Sequence, residues 1–498
     1  MKITFLYSGG ESLGIELLSS VLKREGFSTS LVFSAGLFDD KQYLDIPFLR
    51  KAFNHPRQLV EAVIREKPDL VCFSVVTDMY EWAGQVAGEI KKSLAVPIIF
   101  GGIHASSIPE EVIKKEFVDM VCLGEGEAAL LELVRSMEKK EKRSDIKNIW
   151  FKAGGRIIRN TVRPLLENLD ALPFPDKELF SEAINLKNGR YMIMTGRGCP
   201  YSCTYCYNDV YRKLYSRETN LLRQRSVTNV IAELRLMKEK YAIRSVEFMD
   251  DLFAANTAWL KEFALGYVQE IRLPYQCMAD TNVINAEKAD LLKSSGCTRI
   301  KFGVQTINPQ TRQKILNRYF ERQEQIERAL KLCDSAGLDY SLDHIFGIPG
   351  ETETDYRDTA LFYSQTMAKR VNCYSIAYFP NTKISEIALA AGRLTKGELD
   401  LINLGKQSLY VSGSFLKDKE LKLYKCYRSY YALLPVLNRK VLSKILNSRA
   451  FYLLRFIPQP VLLVLEFFTA LKTGHLRGLD FVRYYKRHIF GRPVACYR

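Results

Sequence analysis

The stretch Gly196-Arg197-Gly198-Cys199-Pro200-Tyr201-Ser202-Cys203-Thr204-Tyr205-Cys206-Tyr207 decides the reading of this chain. An apolar run at 191–196 leads into it, and Gly196 and Gly198 allow a tight turn where the run stops. Cys199, Cys203 and Cys206 follow at CxxxCxxC spacing on the loop. Three thiolates so placed can hold three irons of a 4Fe–4S cubane and leave the fourth iron open to an outside ligand. A three-Cys zinc site and buried structural thiols are the other readings of the same residues. Zinc usually brings a fourth Cys or a His at short spacing, and none follows here.

Downstream, strand-like runs at 191–196, 245–250, 275–280, 298–304, 338–346 and 371–379 alternate with helical patterns at 227–241, 258–270, 286–294, 322–336 and 355–367. Six such units predict a partial barrel with its chemistry at the carboxyl ends of the strands. From about residue 395 the pattern becomes helical and basic.

Upstream, a second alternating series predicts strands at 2–7, 27–33, 69–77, 96–104 and 118–123, hence a parallel sheet covered by helices. Ligands of such sheets sit beyond the carboxyl ends of the strands. There the sequence places Ser8-Gly9-Gly10, Ser74 to Thr77, Gly101-Gly102-Ile103-His104 and Gly124-Glu125-Gly126-Glu127. Any one of these is an ordinary turn, whereas four at one sheet edge argue for a binding site. A charged run at 138–142 and the Pro-rich stretch Leu172-Pro173-Phe174-Pro175-Asp176 mark a boundary. The predicted domains are 1–145 (doubly wound), 146–185 (linker), 186–390 (partial barrel) and 391–498 (mostly helical).

The chain has 498 residues, 47% hydrophobic and 26% charged, with 29 Gly and 17 Pro, which excludes disordered and collagen-like classes. The short apolar run at the N-terminus reads as a first strand rather than a secretory signal. With eleven Cys and no such signal, reduced thiols and a cytoplasmic setting are expected. Net charge is +16, but residues 417–498 hold 17 Lys+Arg against four acids, so the first 416 are nearly neutral. A neutral body gives little footprint for nucleic acid, while a basic tail suits an anionic surface or partner. Residues 450–471 are apolar but interrupted by Arg455, Pro458, Pro460 and Glu466, which argues against a spanning helix. With Arg439, Lys440, Lys444 and Arg449 beside them, two readings stay open: interfacial helices at the inner face of an anionic membrane, or a helical cap on the barrel.

On these motifs residues 191–379 resemble the radical S-adenosylmethionine (SAM) superfamily. The resemblance implies that Cys199, Cys203 and Cys206 bind the cluster and that Tyr205, just before the third Cys, packs near the adenine of SAM. Where many relatives carry Gly-Gly-Glu, this chain has Met249-Asp250-Asp251, so Asp250 and Asp251 are expected to hold the amino group of SAM. Gln305 is expected at a ribose hydroxyl, and Gly347 and Pro349, in His344-Ile345-Phe346-Gly347-Ile348-Pro349-Gly350-Glu351, near the adenine. His344 alternates with Tyr340 and Leu342 and is either a catalytic candidate facing the barrel interior or a core histidine.

The first domain, with the linker Asn168-Leu169-Asp170-Ala171-Leu172-Pro173-Phe174-Pro175, looks like the cobalamin-binding domain of one large radical SAM subfamily. That resemblance implies cobalamin held base-off among Ser8, Gly9, Gly10, Ser74, Thr77, Gly101, Gly102, His104, Gly124, Glu125 and Gly126. His104 lacks the preceding Asp and following Gly of the usual cobalt-ligating motif, so it is not expected to ligate cobalt. The implied activity is transfer of a methyl group from cobalamin to a carbon from which a SAM-derived radical has taken hydrogen. A non-methylating relative such as the anaerobic magnesium-protoporphyrin cyclase, or a ring-rearranging enzyme, is the alternative. An RNA-modifying methylthiotransferase would need three more Cys upstream, where only Cys72 and Cys122 occur. A small-molecule or lipid-like substrate and an electron donor such as flavodoxin or ferredoxin are the implied partners.

Overall fold

The computed structural model describes residues 1–40, 44–53, 55–184, 186–215, 221–407, 415–472, 477–490 and 494–497. Its first sheet is built on β1 (Lys2–Ser8), β2 (Ser28–Ser34), β3 (Leu70–Ser74), β4 (Ile98–Gly101) and β5 (Met120–Cys122), all parallel, in the order β2-β1-β3-β4-β5. Their apolar runs are buried on both faces, as a parallel sheet between helices requires. Ile3, Phe5, Cys72 and Ile99 pack into one layer, and Leu6, Val71, Phe73 and Phe100 into the other.

Both edges of this sheet are closed by antiparallel strands. On one side stands the hairpin β6 (Ile149–Ala153) and β7 (Arg156–Ile158), turned by Gly154-Gly155 with both φ positive. It lies within the stretch that the sequence reads as linker.

The second sheet holds β8 (Arg190–Ile193), β9 (Ser245–Phe248), β10 (Tyr275–Ala279), β11 (Cys297–Gln305), β12 (Tyr340–Phe346) and β13 (Arg370–Ser375), all parallel and in sequence order. This is the expected six-stranded partial barrel. Tyr191, Ile193, Phe248, Tyr275, Phe302, Leu342 and Phe346 pack outward on the helices. Strand alternation then turns the intervening residues to the interior. Polar groups gather there: Lys301 pairs with Asp343 at 3.2 Å, and Asn372 Nδ2 donates to Asp343 at 2.7 Å.

The basic tail is helical, as expected, until its last residues. The helix Asp418–Leu433 buries Tyr424, Tyr427, Tyr430 and Tyr431 against the outer face of the barrel and so acts as a cap. Further on, the chain returns to the first domain. Tyr484 donates to the carbonyls of Gly9 (2.7 Å) and Ala35 (2.8 Å). The strand β14 (Val494–Tyr497) then pairs antiparallel with β2 on the remaining edge of the first sheet. Among the described residues no single helix is long and apolar enough to cross a membrane.

Candidate functional site: a cavity between the two sheets

The carboxyl ends of the two sheets face each other across a cavity of about 400 Å³. From the first domain Ser74, Gly101, Gly102, Gly124, Glu125 and Gly126 line it, six of the residues expected there. From the second come Gly196, Arg197, Gly198, Asn208 and Asp251, and from the linker Leu169, Leu172, Pro173 and Pro175. Below the glycines an apolar slot runs between the helix Leu13–Arg24 (Leu13, Leu17, Leu18) and the strand residues Phe5, Cys72, Ile99 and Cys122.

The glycines are required by space as well as by conformation. At Gly124, φ is +67° and a Cβ would stand 2.0 Å from the Tyr215 hydroxyl. At Gly102, φ is +89° and a Cβ would stand 2.7 Å from the Val75 backbone nitrogen. Slot and edge together fit cobalamin: a flat nucleotide base suits the apolar slot, and the glycines let the edge fold tightly onto Val75 and Tyr215 while their backbone lines the cavity a corrin would enter.

The other expected cobalamin residues lie elsewhere. Ser8, Gly9 and Gly10 are outside the cavity lining, and the Gly9 carbonyl is covered by Tyr484. Strand β4 ends at Gly101 and a short helix, Gly102–Ser107, starts at once, so His104 does not extend from a strand end. Its ring is fully buried, 4.3 Å from the ring of Tyr80, with Nδ1 3.2 Å from Thr77 Oγ1. Burial lowers its pKa to about 3 and keeps it neutral. Neither His104 nor Thr77 reaches the cavity.

The cysteine loop is gripped from two sides. Gly198, φ +82°, has the Leu221 carbonyl 2.2 Å from where a Cβ would sit. On the other side, Asn317 Nδ2 donates to the backbone and hydroxyl oxygens of Ser202, both at 2.9 Å, and Tyr201 stacks on Phe320 at 3.6 Å. Burial pushes the thiols of Cys199 and Cys206 up to about 12 and raises that of Cys203. They therefore ionise when a cation offsets that cost. Among the described residues no three His, Cys, Asp or Glu side chains converge on a single-ion position. The donor set, three soft thiols on one gripped loop, fits an iron–sulfur cluster.

Sequence reasoning missed Arg318, which is buried beside this loop. Its guanidinium donates to Asp280 (3.1 Å), Glu321 (2.8 Å) and the Tyr205 hydroxyl (3.2 Å), and lies 3.8 Å from Cys203 Sγ. Tyr205 itself packs against the apolar cluster that includes Ile348, in the glycine-rich turn that ends β12, where Gly347 and Pro349 are buried. Gln305 ends β11 in the left-handed region, φ +66°, a strained position for a residue with a side chain.

The two aspartates divide their work. Asp250 accepts from the Thr195 hydroxyl (2.7 Å) and backbone N–H (3.1 Å), and burial raises its pKa to about 6. Asp251 lines the cavity, accepts from Asn208 Nδ2 at 3.0 Å, and lies within electrostatic reach of Cys199 and Cys206. His344 sits on the outer face of the barrel against Tyr363 and Tyr431, and burial lowers its pKa to about 3. The structure therefore places it as a core histidine, away from the interior where a catalytic role would need it.

The two halves are locked across the cavity. Arg197, in the cysteine loop, pairs with Glu125 (2.9 Å) and Glu127 of the first domain, and Arg223 pairs with Glu125 at 2.8 Å. Burial alone would raise the Glu125 carboxyl, but the two guanidinium groups hold it below its usual value. Tyr215 accepts from the Glu125 backbone N–H at 2.7 Å, as the last ring of a ladder Tyr207, Tyr211, Tyr215 that starts at the cysteine loop. Spacing of i, i+4 in the helix Tyr207–Leu214 and just past it is the signal that could have found this ladder.

A parallel sheet with glycine edges, facing a partial barrel with a three-cysteine loop, is the architecture of a radical SAM enzyme joined to a cobalamin domain. The radical SAM superfamily matches residues 193–363, and the B12 binding domain family matches residues 6–134. The chain thus carries a radical SAM domain and, N-terminal to it, a B12-binding domain, and its cofactors are a 4Fe–4S cluster, SAM and cobalamin. It is similar to an uncharacterized methyltransferase of Pyrococcus horikoshii, 27% identical over 391 residues, 76% of this chain and 79% of that one. Its fold is shared with the radical SAM methyltransferase TsrM of Kitasatospora setae, solved with tryptophan substrate and a SAM analogue (TM-score 0.63, 20% identity, 78% and 76% covered). It is shared too with the cobalamin-dependent SAM radical enzyme OxsB, solved with aqua-cobalamin and SAM (TM-score 0.67, 17% identity, 98% and 75% covered).

Proposed function

We propose that this enzyme methylates an unactivated carbon of a small-molecule substrate. The observation that carries the reading is one cavity lined by the glycine edge of the first sheet, by Gly196, Arg197 and Gly198 just before the three cysteines, and by Asp251. When bound, the cluster supplies the electron that splits SAM, and cobalamin relays the methyl group.

The chain's own part is to hold these groups facing one another. Arg197 and Arg223 fix the distance between the domains through Glu125 and Glu127. Leu169, Leu172, Pro173 and Pro175 form an apolar wall that keeps water from the reacting centre. Asp251 receives the amino group of SAM in this reading, supported by its position in the cavity lining, from which Asp250, held by Thr195, is absent. In the same reading Tyr205, on the cluster that includes Ile348, offers a flat apolar face for the adenine, and Gln305, at the end of β11, is the partner of a ribose hydroxyl. Lys301, Asp343 and Asn372, facing the barrel interior, offer polar contacts to a substrate. A small protein donor such as flavodoxin or ferredoxin supplies the electron. Cyclisation or ring rearrangement without methyl transfer would use the same cofactors; the likeness to methyltransferases favours methylation.

The test is anaerobic reconstitution with iron, sulfide and cobalamin, followed by incubation with SAM deuterated at its methyl group and with candidate lipids, tetrapyrroles and peptides. Mass spectrometry should find a product carrying the labelled methyl group, and Cys203→Ala should yield neither product nor cleaved SAM. A product that forms without label would replace methylation by the cyclase reading. SAM cleavage that survives in Cys203→Ala would remove the cluster assignment.

A further inference from the structure

Residues 449–472 turn large apolar side chains to solvent in a regular pattern. The 3₁₀ helix Arg449–Phe456 leaves Leu453 63% and Phe456 67% exposed, three residues apart and so on one face. After the break at Ile457-Pro458, the helix Gln459–Lys472 leaves Val461 53%, Val464 55% and Phe468 62% exposed, at i, i+3 and i+7, again one stripe. The inner faces are filled by Phe451, Leu462 and Thr469, which are buried. Neither piece therefore needs its outer face to fold, and a large exposed apolar patch marks an interaction surface.

The two pieces meet at about 100°, and neither is long enough to cross a bilayer. The helix Arg439–Leu446, which carries two exposed lysines, packs against the 3₁₀ helix. Lys440, Lys444 and Arg449 are exposed, and Arg455 lies 4.7 Å from the centre of the Phe456 ring. Residues 417–498 as a whole carry 17 Lys+Arg against four acids.

We propose that this bent pair seats the enzyme on the surface of an anionic lipid bilayer. The Leu453–Phe456 and Val461–Val464–Phe468 ridges enter the headgroup boundary, and Lys440, Lys444 and Arg449 meet lipid phosphates. The Arg455 guanidinium, stacked over the Phe456 ring, carries its charge to the headgroup boundary together with that ring. A second copy of the chain fits the face less well, because each copy would bring the same excess of positive charge. This surface is separate from the cofactor cavity, so its test does not depend on the methylation reading.

The experiment is co-sedimentation of the full chain with vesicles of phosphatidylcholine alone and of phosphatidylcholine mixed with phosphatidylglycerol. Binding is expected only to the mixed vesicles and should weaken as salt shortens the Debye length. The double variants Val464→Glu/Phe468→Glu and Lys440→Glu/Lys444→Glu should each bind roughly tenfold more weakly or worse, given about 1 kcal/mol per basic residue at such a surface. All four side chains are exposed, so far-UV circular dichroism and cobalamin content should match the parent. Equal binding to both vesicle types, or binding to neither, would overturn the proposal. Self-association in vesicle-free buffer that Phe468→Glu abolishes would also overturn it and assign the face to a second copy.

Discussion

A nitrogen of the Arg318 guanidinium lies 3.8 Å from the sulfur of Cys203. The same side chain pairs with Asp280 and Glu321, so one buried cation serves two carboxylates and the sulfur proposed to bind the cluster. Arg318→Met should leave both carboxylates buried without their partner, at a cost of about 3–5 kcal/mol, read as a lower unfolding temperature. In Arg318→Lys, which keeps the charge, most of that loss should be recovered. The reduction potential of the reconstituted cluster, followed by paramagnetic resonance, should become more negative in the Met variant. An unchanged potential in Arg318→Met would show that the cation does not act on the cluster.

Glu351 predicts a pH dependence. Burial pushes its carboxyl up to about 8, while Thr306 donates to Oε1 at 2.6 Å. An unfolded chain releases this proton at about 4.3. Between those two values the folded chain still holds a proton that the unfolded chain has lost, so stability falls as pH rises. Glu351→Gln removes the titration and keeps an acceptor for Thr306. Its unfolding temperature should exceed that of the parent, by more at pH 8 than at pH 5. A difference that stays constant between those two pH values would contradict the assignment.

Two glycines of the first sheet edge should respond in opposite ways. Gly124→Ala drives a methyl group into the Tyr215 hydroxyl at a positive φ, whereas a Cβ at Gly10 meets nothing within 4 Å. Cobalamin retained after reconstitution, measured from its visible absorption, should drop sharply in Gly124→Ala and stay at the parent level in Gly10→Ala. Equal retention in the two variants would remove Gly124 from the cofactor cradle.

His104 is enclosed by Thr77 and Tyr80 and is absent from the cavity lining. His104→Asn should cost stability and leave the spectrum of bound cobalamin unchanged. A spectral shift towards a different lower ligand would make His104 a cobalt ligand after all.

Most of this architecture could be read from the chain. The two series of alternating elements, the glycines near strand ends and the CxxxCxxC loop are local patterns, and they are legible, although the strand expected at 96–104 gives way to a helix at Gly102 and the Gly9-Gly10 turn lies outside the cavity. What escaped depends on which face of a strand is which. Alternation groups His344 with Tyr340 and Leu342, but only the packed helices decide that this face is the outer one. Adjacent Asp250 and Asp251 are chemically identical in sequence, and the turn after β9 sends one to Thr195 and the other to the cavity. Arg318 stands 115 residues from Cys203, so no local pattern could join them. The hairpin at Ile149–Ile158 and the strand Val494–Tyr497 are short edge pieces whose partners lie elsewhere in the chain.

That last strand has a consequence for biosynthesis. Residues 31–34 leave the ribosome well before their antiparallel neighbours, residues 494–497, because the whole barrel is made between them. Until then β2 is a bare edge, with unpaired N–H and C=O groups open to other chains. A nascent first domain can collapse around its central strands while the barrel is still being made. Its outer border closes only after the barrel has been made, so the first sheet waits for the second domain before its own edge is complete.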